Sequence, residues 1–366
     1  MSTRSGKRAV LVQANQPIEV WERETPAPGP GEAVLRLELG GVCGTDVHMW
    51  HGEVPLPGPI VLGHEGIAVI EELGAGLTKD YAGAPLAVGN RVYWQPIMPC
   101  HRCYSCTVLN DVSLCENIFA GLMADAGQPT AGSYSEVITL PREMPFYRVP
   151  DDVPSEAVVA FGCAMPTMIQ GWERLGGIQP GQTVVVQGCG PVGLSATLLA
   201  HLSGAQRVIV VGAPARRLEV ARGLGATDVV SLEQVPDPGE RLAAIRDLTQ
   251  GRGAEVVIEA AGVLPAFAEG IEMVAANGRY LIVGLWSAPG TVPIEPRLLN
   301  NKNLRIIGTA LSQPRHLHEA IKVAQRHHRS LPMAQAVTHR YCIDDSQKAL
   351  EAVANLETVK AVITPG

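Results

Sequence analysis

The sequence predicts an α/β protein in two parts, an irregular antiparallel β-barrel followed by a doubly wound parallel sheet. Three observations carry this. Short apolar runs broken by Gly and Pro fill the first half. From about residue 165, strand-type and helix-type runs alternate, the pattern of a parallel sheet covered by helices. A G-x-G-x-x-G segment, Gly188 to Gly193, follows one of those strands and opens a helix. At 366 residues the chain is long enough for two domains of about 150 residues each.

In the first half, Leu35, Leu37 and Leu39 alternate with Arg36 and Glu38, the period of a half-buried strand. Residues 59–62 and 67–72 are further short strands separated by Gly. In the second part, residues 183–187 form a buried strand and 194–202 an apolar helix. Strand 207–211 and helix 217–222 follow, then strands over 255–259 and 279–284. Helix-type patterns cover 316–327 and 344–356 near the end. No internal repeat and no low-complexity linker interrupts the pattern.

Composition narrows the functional classes. Hydrophobic residues make up 46% and the net charge is −7, so nothing favours nucleic acid or an anionic membrane surface. No run approaches the roughly 18 apolar residues of a membrane span. The opening MSTRSGKRAVLV has neither the apolar stretch nor the cleavage site of a secretory signal. A cytoplasmic protein with reduced thiols is expected.

Half of the eight cysteines fall in one stretch, Cys100, Cys103, Cys106 and Cys115, spaced C-x2-C-x2-C-x8-C. Four thiolates close a tetrahedral zinc site with no open position, which reads as structural metal. An iron–sulfur reading is weaker, because Cys115 is followed by Glu116 and not Pro. A more dispersed set of metal-type residues begins at Cys43 and His64-Glu65. Cys189 and Cys342 are left as packing residues, and His51 has no assigned task.

The Gly-rich segment carries its own mechanism. Gly188 permits a tight turn, Gly190 lets backbone approach a pyrophosphate, and Gly193 allows helix and strand to pack closely. The helix starting at Pro191 and Val192 adds N–H groups and a partial positive charge for phosphates. The second strand of such a site usually ends on an acidic residue that binds the ribose 2′-hydroxyl. Here that place is Gly212, with Arg216 and Arg217 close by. That arrangement admits NADP, but the Arg pair also reads as a solvated helix start, so NAD and NADP both stay open.

Set in order along the chain, CGTD-x-H at Cys43–His48, GHE at residues 63–65, VGNRV at 88–92, the four-cysteine lobe, Cys163 and G-x-G-x-x-G resemble the zinc-dependent medium-chain alcohol dehydrogenases. The resemblance covers nearly the whole chain. It implies a GroES-like catalytic domain over residues 1–164 and 310–366, with the zinc lobe at about 96–118, and a Rossmann dinucleotide-binding domain over 165–309. It implies two zinc ions per subunit. Cys43, His64 and Cys163 resemble the three ligands of the catalytic zinc, with Glu65 able to approach it. The fourth position would take water or a substrate oxygen.

By the same resemblance, Asp46 is the carboxylate behind the metal ligands. Thr45 and His48 are the proton relay, running by way of the cofactor ribose to solvent. Thr167, Gly284 and Leu285 lie against the nicotinamide. One departure is the eight residues between the third and fourth lobe cysteines, where the family mostly has seven. The expected activity is hydride transfer between an alcohol, or its aldehyde or ketone, and NAD or NADP, in a homodimer or homotetramer. Polyol and threonine dehydrogenases share the fold, but the polyol branch tends to carry Glu where Cys163 stands. A zinc-less quinone reductase or a non-catalytic nucleotide-binding relative would lack the ligand sets altogether. Trp50, Trp94, Leu285 and Trp286 are candidates for an apolar substrate pocket or for core.

Overall fold

The computed structural model describes residues 4–366. The chain divides into two compact units, one of residues up to Cys163 together with Gln313–Gly366, the other Ala164–Ser312.

In the first unit, Arg4–Leu11 pairs antiparallel with Glu19–Thr25 and with Ile60–Val61. A larger sheet runs Val337–Cys342, Lys360–Thr364, Ala33–Gly41, Gly66–Leu73, Arg91–Trp94, Phe146–Arg148, with Val137–Leu140 also on Ala33–Gly41. All its pairs are antiparallel except the first, contributed by the tail. The period-two reading holds on the strand Ala33–Gly41: Leu35, Leu37 and Leu39 are buried in the core and Arg36 is exposed. The tail strand Lys360–Thr364 is buried almost throughout, because it sits inside the sheet.

The second unit is a six-stranded sheet in the order Asp228–Ser231, Arg207–Gly212, Thr183–Gln187, Ala254–Glu259, Val274–Ile282, Arg305–Gly308. All its pairs are parallel. Numbered in chain order this is 3-2-1-4-5-6, the doubly wound arrangement whose strand order reverses between its first and fourth strands. Central strands such as Thr183–Gln187 are continuous Val-rich runs because helices cover both faces. Among the described residues, no helix is long and apolar enough to cross a membrane.

Candidate metal and dinucleotide sites

The first site lies wholly in the first unit and is built around Asp46. Cys43 caps the helix Gly44–Trp50, and Asp46, three residues on, turns its carboxylate back to accept the Cys43 N–H at 2.9 Å. The same fully buried carboxylate accepts the Gly63 N–H at 3.3 Å, His64 Nδ1–H at 3.1 Å and the Tyr134 hydroxyl at 3.1 Å. With Nδ1 committed to Asp46, the other ring nitrogen of His64 is left for a metal.

Cys43, His64, Glu65 and Cys163 each place one ligand atom within 4.8 Å of the others. The sulfurs of Cys43 and Cys163 stand 3.6 Å apart. Two sulfurs bound to zinc at about 2.3 Å and a tetrahedral angle would stand about 3.8 Å apart. The hydrogen bond from Cys163 pulls the Cys43 thiol well down, and the same contact pushes Cys163 well up, so without a cation the pair does not ionise together. Burial alone would lower His64, but Asp46 and Cys43 outweigh it and raise it well above its usual value. With both thiols ionised, the four buried or half-buried anionic groups Cys43, Cys163, Asp46 and Glu65 outnumber the buried Lys360 and the His64 imidazole, even when that ring is protonated. The donor chemistry, the spacing and this charge imbalance all fit a zinc dication.

Glu65 is the most constrained of the four. One oxygen accepts the Cys163 N–H at 2.8 Å and the other pairs with Lys360 Nζ. Gly162, at φ +44°, leaves room for it, since a Cβ there would lie 2.1 Å from the Glu65 carboxyl carbon. The Gly162 carbonyl in turn accepts the Tyr93 hydroxyl at 2.9 Å. Sequence reading missed Tyr93, Tyr134 and Lys360. Only Lys360 left a signal: a charged residue at the start of the apolar run Ala361-Val362-Ile363.

Thr45 Oγ1 lies 3.7 Å from Cys43 Sγ. His48, in the last turn of the same helix, is 37% exposed and donates from Nδ1 to Glu53 Oε2 at 2.6 Å. His51 is exposed, its ring against Trp50.

For two of the residues left open between pocket and core, the structure shows core packing. Trp94 is 0% exposed, packs in the core of the first unit and donates to the Ala131 carbonyl at 2.9 Å, because its strand is covered on both faces. Trp50 packs at the edge of that core and donates to the Gln16 carbonyl at 2.9 Å. Cys342 is also not a plain packing residue: it is half-buried, with its thiol 3.2 Å from Asp345 Oδ2.

The four lobe sulfurs lie within 4.8 Å of one another. Cys115 is buried and accepts N–H bonds from Cys100 at 3.2 Å and Asn117 at 3.4 Å. The Arg102 N–H pulls Cys100 down to about 6, while burial pushes Cys106 up to about 12. The eight-residue span before Cys115 is taken up by a left-handed turn at Asn110 (φ +54°) and the 3-10 turn Val112–Leu114, capped by Asp111.

In the second unit, Gly188 turns the chain at φ +103°, and a Cβ on Gly193 would lie 2.0 Å from the Gly188 carbonyl oxygen. Gly190 caps the helix Pro191–Leu202, with Pro191 at its first position and Val192 next, and a Cβ at Gly190 would meet open space. An unfilled approach to a helix N-terminus fits a pyrophosphate. Gly212 ends its strand against Cys189, whose sulfur a Cβ there would approach to 2.5 Å. A side chain at residue 212 would therefore need Cys189 to shift. Cys189 is buried and donates to the Ala213 carbonyl at 3.2 Å.

Of the two arginines, Arg216 is exposed and Arg217 is buried, so the reading of a solvated pair holds for Arg216 alone. Burial lowers Arg217, and the charge interaction with Cys189 works the other way. Thr167 lies on the helix Ala164–Leu175, and Gly284 and Leu285 open a 3-10 turn after Val274–Ile282. Trp286, in the same turn, is 44% exposed.

Comparison with known proteins gives the family and the fold. Residues 29–151 match the alcohol dehydrogenase GroES-like domain, and residues 191–326 match the zinc-binding dehydrogenase domain. The chain is 46% identical over 358 residues to 5-exo-hydroxycamphor dehydrogenase of Pseudomonas putida, covering 98% of each. It is 30% identical to L-threonine 3-dehydrogenase of Sinorhizobium fredii, covering 96% of this chain and 97% of that one. An alcohol dehydrogenase of Thermotoga maritima superposes with a TM-score of 0.91 at 30% identity, covering 99% and 100%. A Sinorhizobium meliloti protein solved bound to NADP superposes at 0.85 with 28% identity over the full length of both.

Proposed function

The chain belongs to the zinc-dependent medium-chain alcohol dehydrogenase family, and we propose from that premise that it oxidises a secondary alicyclic alcohol of the hydroxycamphor kind to its ketone. Hydride transfer between an alcohol and a nicotinamide cofactor is the family's reaction. The substrate class rests on one observation: identity is 46% to the hydroxycamphor enzyme, against 30% or less to the threonine and sorbitol relatives.

Cys43, Cys163 and a ring nitrogen of His64 would hold one zinc, and Cys100, Cys103, Cys106 and Cys115 a second. When bound, the first zinc supplies Lewis acidity toward the substrate oxygen, and the nicotinamide, NAD or NADP, supplies the hydride acceptor. Asp46 fixes the tautomer and orientation of His64. Lys360 balances Glu65, so one anionic charge near the metal is already met. The Thr45 hydroxyl, 3.7 Å from the Cys43 sulfur, would take the alcohol proton while passing its own on toward His48. His48, half-exposed and held by Glu53, releases it to solvent. Gly190, Pro191 and Val192 present the helix N-terminus to the cofactor's phosphates.

The test is a panel run on zinc-loaded protein with NAD and then NADP: 5-exo-hydroxycamphor, cyclohexanol, benzyl alcohol, a primary alcohol, threonine and sorbitol. The highest kcat/KM is expected for hydroxycamphor. A preference for threonine or sorbitol overturns the substrate class, and turnover of no member overturns the enzyme reading.

A further inference from the structure

The strand Ala254–Glu259 ends on a carboxylate that the metal chemistry does not use. Glu259 is 0% exposed, on the strand that neighbours Thr183–Gln187 across the reversal of strand order. A buried carboxylate needs hydrogen-bond donors. Glu259 finds them in the backbone. One oxygen accepts the N–H groups of Ala261 at 2.9 Å and Gly262 at 2.7 Å, and the other accepts the Gly284 N–H at 2.9 Å. Ala261 and Gly262 follow Glu259's own strand, while Gly284 opens the 3-10 turn after the neighbouring strand Val274–Ile282.

One side chain thus ties two successive turns together at the carboxyl end of a parallel sheet. The backbones of those turns touch: a Cβ on Gly284 would lie 2.6 Å from the Gly262 nitrogen. Ligands of such sheets bind outside the carboxyl ends of the strands, and each half of a 3-2-1-4-5-6 sheet takes one mononucleotide. The Gly188–Gly193 turn belongs to the first half. The hydrogen bonds of Glu259 all go to the second.

We infer that Glu259 is a positioning residue for the nicotinamide half of the cofactor, holding the Gly262 turn and the Gly284–Leu285 turn at the spacing that half requires. The inference rests on the reading of the Gly-rich turn as a dinucleotide site. Glu259→Gln keeps the size of the side chain but turns one of its two acceptors into an N–H donor facing backbone N–H groups.

The experiment uses the full zinc-loaded chain and measures Kd for NADH or NADPH, whichever the wild type binds, by fluorescence, and Kd for AMP by calorimetry. In Glu259→Gln the reduced cofactor is expected to bind about tenfold more weakly, the loss of about one charge-assisted hydrogen bond. AMP, which has only the adenosine half, is expected to change less than twofold, and cofactor KM to rise by more than kcat falls. Equal weakening of both ligands, or of neither, overturns the inference. Should Glu259→Gln not fold, Glu259→Asp keeps the charge but is too short for both turns, and the same split between NADH and AMP decides. A wild type that binds neither NADH nor NADPH overturns the dinucleotide reading itself, which is a separate outcome.

Discussion

Lys360 and Glu65 form an ion pair in which each side chain is 1% exposed, and the second oxygen of Glu65 takes the N–H of Cys163 at 2.8 Å. The pair therefore stands directly behind Cys163, one of the proposed zinc ligands. Removing one member of a buried pair leaves an uncompensated charge, at a cost of about 3–5 kcal/mol. Lys360→Met is expected to destabilise the chain by about that amount, read from denaturant or thermal unfolding. The double variant Lys360→Met/Glu65→Gln is expected to recover most of the loss, because it removes both charges. A double variant no more stable than Lys360→Met would show that the pair is not the source.

Asp46 gathers four donors, from Cys43, Gly63, His64 and Tyr134. Asp46→Asn presents an NH2 group to some of them and loosens the orientation of His64. Zinc affinity at the Cys43/His64/Cys163 site is expected to fall about 10–100-fold, the range for groups behind metal ligands. Competition with a chromophoric chelator measures it, and unchanged affinity would remove Asp46 from this role.

Mutation separates the two proposed zinc sites. Cys103→Ser leaves three sulfurs in the lobe and the other donor set untouched. Zinc by atomic emission is expected to fall from two to about one per chain, with a lower melting temperature, since a closed zinc site contributes directly to folding. Cys163→Ala is also expected to lower zinc to about one, but with turnover abolished.

The imidazole of His48 is 37% exposed, so water can partly replace it. His48→Gln is expected to lower kcat about tenfold, below the 10²–10⁴-fold usual for a proton-transfer group in the reacting shell. Added imidazole is expected to restore part of the rate. A solvent-exposed histidine with no part in proton transfer would leave kcat unchanged.

Much of this was readable in the chain because it is local. The alternation of Leu35, Leu37 and Leu39 is set by the strand period, and the lobe cysteines lie within sixteen residues of one another. Likewise the turn from Gly188 to Gly193 needs only its own backbone angles and neighbours. A resemblance of ordered motifs named Cys43, His64 and Cys163 together, although 120 residues separate the two cysteines.

The partners of these groups were decided by tertiary structure alone. Lys360 reaches Glu65 across 295 residues because the tail strand enters the sheet beside Ala33–Gly41. Tyr134 reaches Asp46 across 88 residues, and Glu259 binds a turn 25 residues further on. Trp94, in a run that reads equally as pocket or core, is core only because the sheet is covered where it lies. Burial and long-range hydrogen bonding depend on which strands become neighbours, and a single sequence carries no local mark of that pairing.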